Sequence, residues 1–160
     1  MKENLVSTSA DHPGVVAMPP LLFAGALVLV LALRWLRPMP ISGGAVALWS
    51  GLVLVVLGLG LAVWGRRTLM AAGTNVNPRL PTTTIVTAGP FRFSRNPLYL
   101  AMTLLFLGLT VTLDTWWGLV VLIPLLILIH WGVVRREERY LEKKFGESYR
   151  QYQAQVRRYL

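Results

Sequence analysis

The sequence predicts an all-α integral membrane protein with four transmembrane helices, a long cytoplasmic loop and a C-terminal cytoplasmic helix. Three observations lead there. Hydrophobic residues make up 54% of the 160 and charged residues only 14%, against roughly 25% charged in soluble domains. The apolar residues gather in runs close to the ~20 helical residues that cross a ~30 Å hydrocarbon core. Basic residues sit beside those runs and are shared unevenly among the connections.

Composition excludes several classes. A mean hydropathy of +0.55 rules out a disordered chain, a coiled coil or a disulfide-stapled module. With no cysteine, disulfides, thiolate metal sites and cysteine nucleophiles are excluded together, and no metal site is expected. The net charge of +9 would point to nucleic acid in a soluble protein. Beside apolar runs its counter-charge is an anionic lipid surface, so no nucleic-acid partner is expected. The length fits one domain, residues 1–160.

Residues 1–20 read as a polar tail carrying His12 and several prolines. The first span covers about 21–36 and leaves the membrane through Arg34, Trp35 and Arg37, residue types that suit the headgroup zone. The second, about 45–64, carries no charge. Its Gly51, Gly58 and Gly60 allow close helix approach. Residues 65–96 form a loop with five arginines, no acid and several turn residues. A connection that long is usually functional or disordered, and the extended propensity of 82–87 argues against disorder.

The third span, about 97–113, begins with Asn96 at the cap and Pro97 in the first turn. Asp114 marks a short turn. The fourth span, about 116–134, contains Pro124, read as a kink, and passes without a breaker into the charged tail 135–160. Basic residues number two at the exit of span one (Arg34 and Arg37), five after span two, none after span three and eight after span four. The positive-inside rule then puts both termini, the long loop and the active site on the cytoplasmic side. A bacterial cytoplasmic membrane is the expected location.

The chemistry-bearing residues gather at that side. At about 100° per residue, with His130 at zero, Glu137 falls near −20° and Glu138 near 80°. Glu137 is therefore placed mid-stripe on the inward face and Glu138 at its edge. A carboxylate facing inward needs a partner: either an arginine of the loop in a structural ion pair, or a polar ligand. The stretch Gly89-Pro90-Phe91-Arg92-Phe93-Ser94-Arg95-Asn96-Pro97-Leu98-Tyr99 is a tight turn feeding a helix start, with unpaired N–H groups, arginines and aromatic faces beside it. Anion donors, aromatic walls and one carboxylate fit a zwitterionic, cationic nucleoside such as S-adenosylmethionine. An arginine-rich membrane anchor is the bland alternative.

That stretch, the pair Glu137-Glu138 and the ending Phe145-Gly146-Glu147-Ser148-Tyr149-Arg150-Gln151-Tyr152 together resemble the isoprenylcysteine carboxyl methyltransferase and phospholipid methyltransferase family, in its bacterial or archaeal form. The resemblance covers roughly residues 70–160. It implies a membrane enzyme that binds S-adenosylmethionine, releases S-adenosylhomocysteine, and methylates a lipophilic small molecule or lipid among membrane lipids. Carried over residue by residue, it implies cofactor contacts at Thr83, Thr84, Ile85, Val86, Phe91, Asn96, Pro97, Leu98, Tyr99 and Glu137. Arg95 and His130 are the candidate catalytic residues, His130 being the plausible base of the membrane segments. Arg92 and Arg136 are the candidate substrate contacts.

Three departures from the family pattern stand out. Asn96 replaces the usual histidine, Phe91 a usual tyrosine, and Val133 the arginine that holds a substrate carboxylate in eukaryotic members. The last argues against a prenylcysteine carboxylate as acceptor. Two rival readings remain: an NADPH-dependent membrane reductase of the sterol-reductase type, with Arg66-Arg67 for the 2′-phosphate, and a non-enzymatic four-helix transporter.

Overall fold

The structure is a computed structural model describing residues 13–41, 44–77 and 80–160. The polar tail through His12, and Arg79 of the long loop, lie outside the described residues. The described residues are all-helical: α1 Pro19–Leu36, α2 Ala45–Ala71, α3 Pro97–Thr112, α4 Trp117–Ile129, α5 Arg135–Phe145 and α6 Glu147–Gln155. A 3₁₀ turn at Gly89–Arg92 precedes α3, and a π turn at His130–Val134 joins α4 to α5. No strand forms among the described residues, so the extended stretch at 82–87 is irregular loop.

Helix α1 starts at Pro19 and Pro20, whose fixed φ suits the first turn, and stops before Pro38. Helix α2 runs seven residues beyond the apolar run, to Ala71. The arginines at 66 and 67 end the span but not the helix. Nothing in 65–71 breaks a helix, and Gly73 at φ +69° ends the turn that follows. The long connection is correspondingly shorter than the loop 65–96 read from the sequence. The helical pattern also runs through Pro124, and the irregularity falls at His130–Val134 instead.

Three helical stretches are long and apolar enough to cross a membrane: Pro19–Leu36, Ala45–Ala71 and the continuous Trp117–Phe145. The chain is an integral membrane protein. Helix α3, at 16 residues, reaches only about 24 Å and is shorter than the others. It lies antiparallel along α2. A Cβ at Gly51 would stand 2.7 Å from Gly108 O, one at Gly58 2.9 Å from Leu105 N, and one at Gly65 2.9 Å from Leu98 Cδ2. Gly60, grouped with these by the sequence pattern, faces open space.

The core lies between α1, α3 and α4, from Phe23 and Val30 through Phe106 to Val121, Leu125 and Ile129. Phe23 and Phe106 meet edge to face at 6.2 Å. The outer faces of α1, α2 and α4 expose leucine, valine and isoleucine to the bilayer. At one end the α1–α2 and α3–α4 connections meet. There Trp116 N–H donates to Met39 O (2.9 Å), Ile41 N–H to Asp114 Oδ1 (3.2 Å) and Trp117 Nε1–H to Arg37 O (2.7 Å). The opposite end gathers the N-terminal segment, the 3₁₀ turn, α5, α6 and the C-terminus.

Close packing of α2 on α3 carries a prediction. Gly51→Val should overpack that seam, cost about 1–3 kcal/mol and lower the thermal midpoint in detergent. Gly60→Val should leave the midpoint unchanged. Equal midpoints for the two variants would refute the seam.

Candidate active site

The second end encloses a cavity of about 730 Å³. Its walls come from the N-terminal segment and α1 (Met18, Pro19), from α2 (Ala62, Arg66, Leu69) and from the loop (Thr82, Thr84, Ile85, Val86). The α3 entry adds Phe91, Arg95 and Asn96 through Tyr99, and α5 and α6 add Glu137, Tyr140, Tyr149 and Tyr152. Apolar side chains dominate, with a few convergent polar groups, as ligand cavities require.

The α3 entry is shaped locally. Gly89 sits at φ +56°, and a Cβ there would stand 2.6 Å from Thr68 Oγ1, so the 3₁₀ turn can press against α2 only with glycine at this place. Asn96 occupies the cap position, but its side chain makes no cap bond. Its Nδ2–H instead donates to Arg158 O at 2.9 Å. Ser94 Oγ–H donates to the same carbonyl (3.3 Å) and Arg95 N–H to Arg157 O (3.0 Å). The C-terminal tail is therefore stitched across the start of α3.

The glutamate pair divides differently from the wheel's assignment. Glu138 is the buried member, 8% exposed. Arg158 reaches it with Nε (3.0 Å to each oxygen) and Nη2 (2.8 Å to Oε2), and Arg95 Nη2 with 3.1 Å to Oε1. Glu137 makes no ion pair among the described residues; Tyr99 O–H donates to its Oε1 at 2.8 Å, and it lines the cavity. The π turn is the physical reason. It holds about one residue more than an α turn, so every later position is set back by about 100°. Glu138 thereby takes the side of the helix that carries His130. Their partners confirm the shift, because Glu138 meets Arg158 and His130 Nδ1 meets the hydroxyl of the neighbouring Tyr159 at 2.8 Å.

Arg95 has a further property. Its side chain is 9% exposed, and its Nε and Nη1 are buried without a hydrogen-bond partner among the described residues. Two nitrogens of a cation whose side chain lines the cavity are thus left without an acceptor. Outside the spans, the hydrogen bond to Glu138 raises the Arg158 pKa, and burial pushes the Tyr149 hydroxyl up to about 12 and raises those of Tyr152 and Tyr159. These tyrosines stay neutral at physiological pH. Tyr152 uses its proton, donating to Phe91 O at 2.7 Å.

Most residues singled out from the sequence meet here: Thr84, Ile85, Val86, Phe91, Arg95, Asn96, Pro97, Leu98, Tyr99 and Glu137 all line the cavity. Four do not. Thr83 turns to the loop, accepting from nothing in the cavity and donating Oγ1–H to Gly73 O at 3.0 Å; its neighbour Thr82 lines the wall instead. His130 is engaged by Tyr159 and is not on the wall. Arg92 is exposed over the Phe93 ring at 5.7 Å. Arg136 is exposed and donates to Gly14 O at 2.9 Å. Sequence reasoning assigned no role to Glu138, Tyr140, Tyr149 or Arg158. The Phe145-Gly146-x-x-Tyr149 pattern held a signal for Tyr149, and the spacing of Tyr149 and Tyr152 in a polar helix held another.

Known proteins resemble this chain along the same stretch. A family model described as phospholipid methyltransferase matches residues 46–148, well over half of the chain. The chain belongs to the phospholipid methyltransferase family. Members of this family are S-adenosylmethionine-dependent methyltransferases of lipid-type substrates. An uncharacterised protein of Haemophilus influenzae is 39% identical over 66 residues, covering 39% of this chain and 100% of that protein. No solved structure matches.

The paired Glu138 carries a second prediction. Glu138→Ala would leave Arg95 and Arg158 facing each other without their carboxylate, a loss of about 3–5 kcal/mol visible as a lower thermal midpoint. Glu147→Ala, which removes the partner of an exposed Arg150 pair, should cost less than about 1 kcal/mol.

Proposed function

We propose that this chain transfers the methyl group of S-adenosylmethionine to a lipophilic acceptor dissolved in the membrane, with the cofactor held in the cavity at the α3 entry. The observation that carries this reading is the meeting of the unpartnered Arg95 N–H groups and the Tyr99–Glu137 pair in one cavity of about 730 Å³. Arg95 suits the cofactor's carboxylate, since an unpartnered guanidinium N–H makes a charge-assisted hydrogen bond to it. Glu137, oriented by the Tyr99 hydroxyl, suits a ribose hydroxyl or the ammonium. Phe91 and Tyr149 offer faces to the adenine or to the sulfonium.

Bound S-adenosylmethionine supplies an activated methyl on a sulfonium, which departs as a neutral thioether. The protein's part is to orient the acceptor and exclude water. Met18, Pro19, Ala62 and Met102, which all line the cavity, form an apolar wall suited to a lipid tail. With His130 engaged by Tyr159 and off the wall, no histidine among the described residues stands where it could serve as base. The acceptor is then a group that needs none: a carboxylate, a thiolate, or an amine arriving deprotonated. A prenylcysteine carboxylate is disfavoured. Val133 is fully buried, Arg135 lies over the Trp131 ring at 4.6 Å, Arg136 is bound to Gly14 and exposed Arg139 donates Nε–H to Arg135 O at 3.2 Å, so α5 presents no arginine to such a group.

If α3 is counted as a fourth crossing, returning along α2, the positive-inside rule supports both termini and the cavity lying in the cytoplasm. The cysteine-free sequence makes this easy to test. In intact cells a membrane-impermeant maleimide should label Met39→Cys and spare Ser148→Cys; the reverse pattern would invert the orientation.

Calorimetry on purified protein should show S-adenosylhomocysteine binding and no binding of NADPH. Glu137→Gln should weaken S-adenosylhomocysteine by about tenfold or more, the loss of a charge-assisted contact. Incubation with methyl-labelled S-adenosylmethionine and lipophilic acids, thiols and amines should yield a labelled lipid-soluble product. NADPH binding without S-adenosylhomocysteine binding would overturn the reading.

A further inference from the structure

The C-terminal tail carries a residue whose geometry bears directly on Arg95. An arginine beside a lone carboxylate ordinarily engages it with two parallel N–H groups. Arg95 does not: it gives Glu138 only Nη2, at 3.1 Å to Oε1, and leaves Nε and Nη1 buried and unused. Arg158 occupies the carboxylate first, with Nη2 on Oε2 at 2.8 Å and Nε 3.0 Å from both oxygens. The tail carrying it is fixed by three bonds from the α3 entry: Arg95 N–H to Arg157 O, and Ser94 Oγ–H and Asn96 Nδ2–H to Arg158 O.

We propose that Arg158 is a positioning residue for Arg95: by holding Glu138 in a multi-point grip, it keeps Arg95 from closing onto that carboxylate and leaves Nε and Nη1, on opposite edges of the guanidinium, without an acceptor, so that a carboxylate ligand in the cavity can engage one of them. The inference rests on the proposed S-adenosylmethionine reading, whose methionine carboxylate is the ligand in question. It goes beyond the family match, which ends at residue 148 and does not include Arg158.

Removal of Arg158 frees both Glu138 oxygens. Arg95 can then pair with them side by side through Nε and Nη2, and the cavity loses a donor while the fold keeps a buried ion pair. The tail remains attached, because its stitches to Ser94, Arg95 and Asn96 use backbone carbonyls. A purely structural Arg158 would behave otherwise, lowering stability without a selective effect on cofactor affinity.

The experiment measures S-adenosylhomocysteine affinity by calorimetry, with KM for S-adenosylmethionine and the thermal midpoint, for the full chain and its variants in detergent. Arg158→Ala should weaken S-adenosylhomocysteine by about tenfold and raise KM by more than it lowers kcat. Arg158→Lys, which lacks the fork, should fall between wild type and Arg158→Ala. Adding Glu138→Gln to Arg158→Ala removes the charge that captures Arg95 and should recover part of the lost affinity.

The proposal is overturned if Arg158→Ala binds within about twofold of wild type, or if the added Glu138→Gln gives no recovery. Should Arg158→Ala fail to fold, Arg158→Lys decides alone: affinity equal to wild type sinks the proposal and reduced affinity at an unchanged midpoint supports it. A wild-type protein that binds neither S-adenosylmethionine nor S-adenosylhomocysteine overturns the methyltransferase reading itself. Binding by wild type with no effect of Arg158 removes the positioning role alone.

Discussion

A carboxylate buried at the end of a lipid-facing helix must find its counter-charge, and in this protein Glu138 finds two. Isolated, such a group would cost several kcal/mol to bury. Arg95 and Arg158 both reach it, and they come from segments far apart in sequence. Satisfying one side chain on α5 therefore fixes the approach of the α3 entry from one side and of the C-terminal tail from the other. The trio still carries one excess positive charge, since two guanidinium groups share one carboxylate. That excess is held in place rather than spread over solvent, because Arg95 is nearly enclosed. The anion site proposed above draws on the same packing that holds the fold together at this end.

The π turn at His130–Val134 makes this arrangement possible. A straight α-helix from Trp117 to Phe145 would turn Glu137 toward the face that His130 occupies and Glu138 toward its edge. The widened turn sets the charged part back relative to the membrane part, so the two glutamates separate in function. Glu138 joins the structural cluster with the tail, and Glu137 swings to the Tyr99 hydroxyl on the cavity wall. π turns of this kind often mark functional sites. Here the turn is what lets two neighbouring carboxylates face two different partners.

Much of this was legible in the sequence, and the misses have identifiable causes. The apolar runs gave the helices, because a membrane span needs its length and composition whatever it packs against. Asn96 and Pro97 marked the start of α3 correctly, yet the asparagine side chain spends its hydrogen bond on Arg158 rather than on the cap. No local rule foresees a partner that arrives 62 residues later. The end of α2 was misjudged because charge was read as a stop, although arginine is a good helix former. The roles of Glu137 and Glu138 were misread because hydrophobic periodicity assumes an unbroken α-helix, and nothing in His130-Trp131-Gly132-Val133-Val134 announces a wider turn. The glycines at 51 and 58 were placed rightly by spacing, while Gly60 shares the composition but not the face.

The short third helix accounts for where the site lies. Leu98, at the second position of α3, stands under Gly65 of α2, the residue just before Arg66 and Arg67. The start of α3 is therefore level with the point where α2 changes from apolar to charged, which is where a helix leaves hydrocarbon for headgroups. Arg95 and Tyr99 flank that level. Both line the same cavity as the apolar side chains of Met18, Pro19, Ala62 and Met102. Had α3 been as long as α2, its entry would have been carried into bulk water, and a lipid-borne acceptor would have had to leave the bilayer to meet it. The 16-residue length of α3 instead puts the polar donors and the apolar wall in one cavity at the boundary, the arrangement that a transfer from an aqueous donor to a membrane-dissolved acceptor requires.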